Sequence, residues 1–345
     1  MTNETSRVIR VAAVQMRSCL GDIPENLNHA ASLVEQAANQ GAQLILLPEL
    51  AASGYSLSRA VWPLAETRQG RTIQWLQAIA RRLGVHVGIG FVETSGKDIY
   101  NSYAIGTPDG QIAGFVRKTM AETICFRCVP GTHVIDTTLG RIGVGICADN
   151  HFVPMVRLMQ AQSVDLMIMP HAVTGATRAG GLVSQKDVDD NFKKLKGTAP
   201  LYTRLLGVPA IFINAVGEIT GPAWEGLFGR LIDRERFRLF GLSNIIDLDG
   251  TVKQQMDNLS EGFIVADVTL DPSKKMSQAP TAYGAYGGGW IDPGLSGNLA
   301  RDLICYVESF FGRVGYTFSI ERRKIALEKT ANYFEKTKSK KGKFR

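Results

Sequence analysis

Ala42-Gln-Leu-Ile-Leu-Leu-Pro48 and Val164-Asp-Leu-Met-Ile-Met-Pro170 are two short apolar runs, each closed by proline and each preceded by a stretch of helical pattern. An apolar run this short that stops at a proline suits a strand buried on both faces, because proline cannot continue the ladder of a central strand. Ahead of the first run, Val8 to Met16 reads as another buried strand. From Glu25 to Asn39, Ala30, Ala31, Leu33, Val34 and Ala37 recur at helical spacing. Ahead of the second, Ile142 to Ile146 and Phe152 to Gln162 repeat the strand–helix order. Two related βαβ-type halves would produce this echo, although seven residues are too few to prove a duplication.

Working outward, a helix is predicted over Thr72 to Leu83, stopped by Gly84, with strands at Val85 to Phe91, Tyr100 to Gly106 and Gln111 to Lys118. Pro108-Asp-Gly110 supplies the turn between the last two. Thr174 to Pro200, rich in Gly, Ser and charged residues, reads as a loop leading into a polar helix. The alternation then resumes at Val208 to Asn214, Leu242 to Asp247 and Phe263 to Val268. Helices alternating with apolar strands predict an α/β architecture with buried sheets. Residues 1–271 read as one catalytic domain. Residues 272–345 read as its extension: a Gly-rich loop, an amphipathic helix over Asn298 to Gly312, and a basic tail. That helix carries Leu299, Leu303, Tyr306, Val307, Phe310 and Phe311 on one stripe, which favours contact with a second copy of the chain.

Composition narrows the function classes. The 45% hydrophobic and 21% charged content over 345 residues is that of a soluble folded protein. The formal charge of +7 resides wholly in Glu321 to Arg345, which hold ten Lys or Arg against three Glu, so the folded part has no nucleic-acid signature. Neither a secretory leader nor a membrane-length apolar run is evident, and a cytoplasmic location is expected. Five scattered cysteines, at 19, 125, 128, 147 and 305, suggest reduced thiols rather than a disulfide framework.

Three chemically capable residues stand where strands end: Glu49 after Pro48, Lys118 after Gln111 to Arg117, and Cys147 after Ile142 to Ile146. Ligands of α/β sheets gather at the carboxyl ends of strands. A thiol needs a base or a positive field to become a thiolate, a carboxylate can supply the base, and an ammonium can hold an oxyanion. Other groupings compete. Cys125-Phe-Arg-Cys128 has zinc-like spacing but no second pair, and His151 or His171 could pair with Cys147 as in a Cys-His hydrolase.

The local motifs weigh in favour of the first trio. Leu47-Pro-Glu-Leu50 with Ser53-Gly-Tyr55, Arg117-Lys-Thr119 and Gly145-Ile-Cys-Ala-Asp149 stand in order, with Tyr100-Asn-Ser102 and Phe126 to Gly131 between them. The chain resembles the nitrilase superfamily of carbon–nitrogen hydrolases over roughly residues 8–270. The resemblance implies an αββα sandwich, with Glu49 as base, Lys118 as electrostatic partner and Cys147 as nucleophile. It further implies an oxyanion held by the Ala148 N–H and Lys118, no metal or organic cofactor, and a homodimer or larger homo-oligomer. Tyr55, His151 and His171 are candidate substrate contacts.

Departures from the family pattern matter too. A second active-site Glu is common in the family, and Glu122 is the only candidate between Lys118 and Phe126. Cys147 is followed by Ala148-Asp-Asn-His-Phe-Val-Pro-Met155, without the Trp-Glu pair typical of nitrile hydrolases. A small amide or carbamoyl amide is therefore the expected substrate. A nitrile hydrolase, a thioester-based N-acyltransferase and a silent binding scaffold are the alternatives.

Overall fold

Strand alternation sorts the core into layers. The computed structural model describes residues 5–120, 125–180, 184–222, 237–291 and Tyr316. Along β1 (Arg7–Gln15), Ile9, Val11 and Ala13 enter one apolar cluster while Ala12 and Val14 enter another. In β2 (Leu44–Leu46), Leu44 and Leu46 face the first cluster and Ile45 the second. A strand with two buried faces sits between two packed layers, which accounts for its unbroken apolar sequence.

The outer layer over these strands consists of α1 (Ile23–Asn39) and α2 (Arg71–Leu83), whose buried stripes include Leu27, Ala30, Val34, Ile73 and Leu76. Gly84, at φ 66°, ends α2 in the left-handed conformation that suits glycine. The sheet continues through β3 (His86–Ser95), β4 (Asp98–Gly106) and β5 (Ile112–Arg117), and β15 (Gly262–Leu270) pairs with β1 at the opposite edge. Its order is β15-β1-β2-β3-β4-β5.

A second sheet repeats the plan. It holds β6 (Val134–Thr137), β7 (Gly140–Val144), β8 (Leu166–His171), β10 (Ala210–Asn214), β13 (Asn244–Ile246) and β14 (Val252–Gln255), in the order β6-β7-β8-β10-β13-β14. Read in these directions, both sheets pair antiparallel, parallel, parallel, antiparallel, antiparallel. The echo between residues 42–48 and 164–170 thus falls on β2 and β8, which hold equivalent places. Two helices cover the outer face of this sheet, α3 (Val153–Gln162) and α4 (Gln185–Leu206). The inner faces of the two sheets share one cluster, including Val11, Leu46, Val144, Ile168 and Ile213, so the layers run α, β, β, α as expected.

Several features differ from expectation. The polar helix does not end at Pro200 but runs to Leu206, because Leu195, Ala199, Tyr202, Leu205 and Leu206 continue one buried face across the proline. Three short strands, β9 (Thr174–Ala176), β11 (Val216–Glu218) and β12 (Phe237–Phe240), form a small extra sheet, and β6 and β14 add two edges. β14 is wholly exposed, so it lacks the apolar alternation that would announce it. The helix expected over Asn298–Gly312 lies outside the described residues. Of the extension beyond residue 291, Tyr316 is described: its hydroxyl accepts from Ile99 N–H at 3.1 Å and donates to Asp98 Oδ1 at 3.1 Å. Among the described residues no helix is long and apolar enough to cross a membrane.

Candidate active site

After β2 the chain passes through Pro48 and Glu49 and turns at Leu50, whose φ is 52°. The turn lies directly on β3. Gly90 N–H donates to Pro48 O at 3.2 Å, and Gly90 O accepts from Ala52 N–H at 3.2 Å. A Cβ on Gly90 would lie 2.4 Å from Leu50 N and 2.7 Å from Glu49 Cα, so only glycine permits this approach.

Glu49, 2% exposed, is the focus of the site. Its Oε1 accepts from Lys118 Nζ at 2.9 Å and from Asn101 Nδ2 at 2.7 Å. A carboxylate only accepts here, which fixes the orientation of the Asn101 amide and leaves Asn101 Oδ1 as an acceptor. Glu49 Oε2 and Asn101 Oδ1 are both buried without a hydrogen-bond partner among the described residues. Unpaired buried acceptors are uncommon and call for an explanation.

Lys118 reaches Glu49 from just beyond β5, where its own N–H donates to Asn101 O at 2.9 Å. Its neighbours anchor it on both sides. Arg117 grips the fully buried carboxylate of Glu93 through Nε at 3.0 Å and Nη2 at 2.5 Å, joined by Arg68 Nε at 2.8 Å and Ser102 Oγ at 2.7 Å. Burial alone would push the Glu93 carboxyl up. The bonds from Arg117, Ser102 and Arg68 outweigh it and hold the group below the ordinary glutamate value. The Arg117 guanidinium also stacks on Tyr100 at 3.7 Å. On the other side, the Thr119 and Met120 N–H groups donate to Asp149 Oδ1 at 3.1 and 2.8 Å.

Asp149 belongs to the 3-10 turn Cys147–His151 that follows β7. Cys147, 8% exposed, opens this turn at φ 48°, a left-handed conformation unfavourable for a non-glycine residue. Two side chains hold it there. Asp149 Oδ2 accepts from Ile146 N–H at 3.2 Å, and Asn150 Nδ2 donates to Gly145 O at 2.7 Å and Cys147 O at 3.2 Å. Ala148 is second in the turn, where an N–H has no acceptor within the helix itself. Burial pushes the Asp149 carboxyl up, against the pull of His133, Lys118 and its N–H donors.

His171 ends β8 as Glu49 follows β2. It is fully buried, and its Nδ1 lies 2.8 Å from Met169 O. Since a carbonyl only accepts, Nδ1 carries the proton and Nε2 is left as an acceptor without a partner among the described residues. Burial lowers its pKa to about 4, so the ring is neutral near pH 7, and both Glu49 and Lys118 lie within electrostatic reach. His151, 9% exposed, stands edge-on to His171 with ring centres 6.0 Å apart. Tyr55 is 8% exposed and packs with Leu50, Trp62 and Phe126.

Glu49, Lys118, His151 and His171 therefore gather at one end of the two sheets, and Asp149 ties the Lys118 segment to the Cys147 turn. Glu122 lies outside the described residues. Asn101 and Asp149 had no assigned role in the sequence, although both sit inside quoted motifs. Among the described residues no cluster of three His, Cys, Asp or Glu side chains offers a metal site.

Comparison with known proteins shows the family and the fold. Residues 10–277 match the carbon–nitrogen hydrolase family. The chain is 28% identical over 298 residues to N-carbamoylputrescine amidase of Arabidopsis thaliana, covering 81% of this chain and 92% of that one. A carbon–nitrogen hydrolase structure from Helicobacter pylori G27 superposes with TM-score 0.65 at 22% identity, covering 77% of this chain and 90% of the other. A structure of the amidase from Nesterenkonia sp. AN1, a variant showing Michael addition of acrylamide at its active-site cysteine, superposes with TM-score 0.59 at 20% identity. That match covers 76% of this chain and 92% of the other.

Proposed function

The chain belongs to the carbon–nitrogen hydrolase family of the nitrilase superfamily, and from that membership we propose that it hydrolyses a small primary amide or carbamoyl amide through a thioester on Cys147. The observation that carries this reading is the buried Glu49 carboxylate, bound through one oxygen to Lys118 and Asn101 while the other has no hydrogen-bond partner among the described residues. Glu49 takes the thiol proton, and the Cys147 sulfur attacks the carbonyl carbon. The Ala148 N–H and the Lys118 ammonium hold the oxyanion that forms. As the C–N bond breaks, Glu49 returns the proton to the departing nitrogen, releasing ammonia and leaving the thioester. Water then gives a proton to Glu49 and attacks the same carbon. Collapse expels the thiolate, which recovers its proton, and the acid or carbamic acid departs.

The unpaired acceptors favour an amide over a nitrile. An amide NH₂ offers donors to Glu49 Oε2 and Asn101 Oδ1, whereas a nitrile has no N–H. Each buried acceptor left unpaired costs roughly 1–3 kcal/mol. A panel of primary amides, ureido acids and nitriles, assayed for ammonia release, tests the assignment. Amides or ureido acids are expected to turn over, with Cys147→Ala folded and inactive. Near-normal turnover by Cys147→Ala would refute the reading. A homodimer belongs to the same proposal and is checked by solution mass before and after truncation following Pro293.

A further inference from the structure

The three residues Arg117, Lys118 and Thr119 each serve a different partner: Glu93, Glu49 and Asp149. The first two contacts fix the lysine against its own sheet. The third crosses to the other sheet, because Asp149 lies in the turn beyond β7 while Thr119 follows β5. Asp149 is 1% exposed, and its two oxygens are divided between the two sides. Oδ1 accepts from Thr119 and Met120 N–H, and Oδ2 accepts from Ile146 N–H, the amide next to Cys147.

We propose that Asp149 is a positioning residue that sets the separation of Lys118 from Cys147 by clamping the end of β5 to the strained turn. The inference rests on the reading of Cys147 and Lys118 given above. Three main-chain N–H groups on one carboxylate make a rigid joint, since backbone donors move only with their segments. The joint falls where it is needed. The Cys147 φ of 48° is held only by its surroundings, and Ile146 is the residue whose release would let that turn relax. Asn150 restrains the carbonyls of the same turn, and His133 bridges Thr119 Oγ1 to Val144 O through its two ring nitrogens, at 2.5 and 2.9 Å, but Asp149 bonds directly both to the amides that follow Lys118 and to the amide that precedes Cys147. The charged and titratable groups around the carboxylate are Lys118, His133 at 4.0 Å, and Tyr202 from α4.

Asp149→Asn separates the two arms of the joint. Its amide oxygen can still accept from Thr119 and Met120, but its NH₂ confronts the Ile146 N–H, donor against donor. Turnover is expected to fall roughly 10²-fold, the scale of an ångström of misplacement, with KM within about threefold of wild type. Removing a negative charge from the turn that carries the thiol favours its thiolate, so alkylation of Cys147 by iodoacetamide should hold or quicken while kcat falls. Unchanged kcat overturns the proposal. So does a parallel fall of kcat, alkylation rate and melting temperature, which describes a purely structural residue. A second measurement uses the wild-type protein: the amide protons of Ile146, Thr119 and Met120 should exchange with one common opening rate. A spread beyond about tenfold among them overturns the clamp, whatever the variant does. Turnover by Cys147→Ala refutes the hydrolase reading instead, so the two failures are distinguishable.

Discussion

The two sheets share a topology but not an electrostatic style. At the end of β2 stands Glu49, with an ammonium and an amide donor on one oxygen. At the equivalent end of β8 stands His171, neutral and bonded to a carbonyl. The contrast extends outward. In the sheet of β2, Glu93 of β3 bonds the charged Arg117 of β5 and Arg68. Around β8 the groups are neutral: Asn214 Nδ2 donates to Gly241 O at 2.8 Å, and Ser243 Oγ accepts from Asn214 N–H at 3.0 Å. One backbone plan thus accepts either solution. Charged pairs gather around Glu49 and Glu93 in the first sheet, whereas His171 at the end of β8 stays neutral near pH 7.

The sharpest way to break this comparison is to exchange the charge at Glu49. Glu49→Gln keeps an acceptor for Lys118 but removes the proposed base, and turnover is expected to fall by roughly 10²–10⁴-fold, the range of general-base loss. His171→Asn, which can still donate to Met169 O, should change kcat by less than about tenfold. Equal losses in steady-state assays would erase the distinction between the halves.

The next effect is on acid stability. The folded His171 has its pKa near 4, below the unfolded 6.5. The unfolded chain therefore binds the proton first as pH falls. The fold is expected to lose up to about 3 kcal/mol between pH 6.5 and 4 from this group alone. His171→Asn should flatten that part of the stability curve, read by urea unfolding at several pH values; an unchanged slope contradicts the buried neutral ring. Smaller still is Glu93→Gln, expected to cost about 2 kcal/mol at pH 7 once discounted for the partial exposure of Arg117 and Arg68. Its pH dependence runs in the same direction as that of His171, but in a more acidic window. The Glu93 carboxyl is held low, so its contribution is present above the unfolded glutamate pKa and disappears as pH drops through the folded one. The variant and wild type should therefore converge in acid, and a constant gap down to low pH would point to packing instead.

Much of this was legible in the sequence, and the limits have physical causes. Apolar runs such as Leu44 to Leu47 declared buried strands because both faces touch hydrophobic layers. The echo at Val164 to Pro170 anticipated the repeated sheet. Glu49, Lys118 and Cys147 stood out as reactive groups at strand ends. Asn101 and Asp149 did not, since one amide in a strand or one carboxylate in a turn leaves no periodic trace and gains meaning only from what folds against it. The short strand β14, Val-Lys-Gln-Gln, is defined by its partner β13 rather than by any burial of its own. The helix through Pro200 escaped for the converse reason: a local breaker was overruled by a long apolar face.

Gly90 shows how a residue without a side chain can govern the chemistry. The turn carrying Glu49 rests on its backbone, with two hydrogen bonds and no room for a methyl group. Any substitution there must lift the carboxylate away from Lys118 and Asn101 or push β3 out of its sheet. Gly90→Ala should therefore behave as a lesion of the base, even though position 90 supplies no reacting atom. The most intolerant position in a directed-evolution library of this protein would be one that makes its contribution by vacancy, and a search for activity among variants would find its strictest filter there.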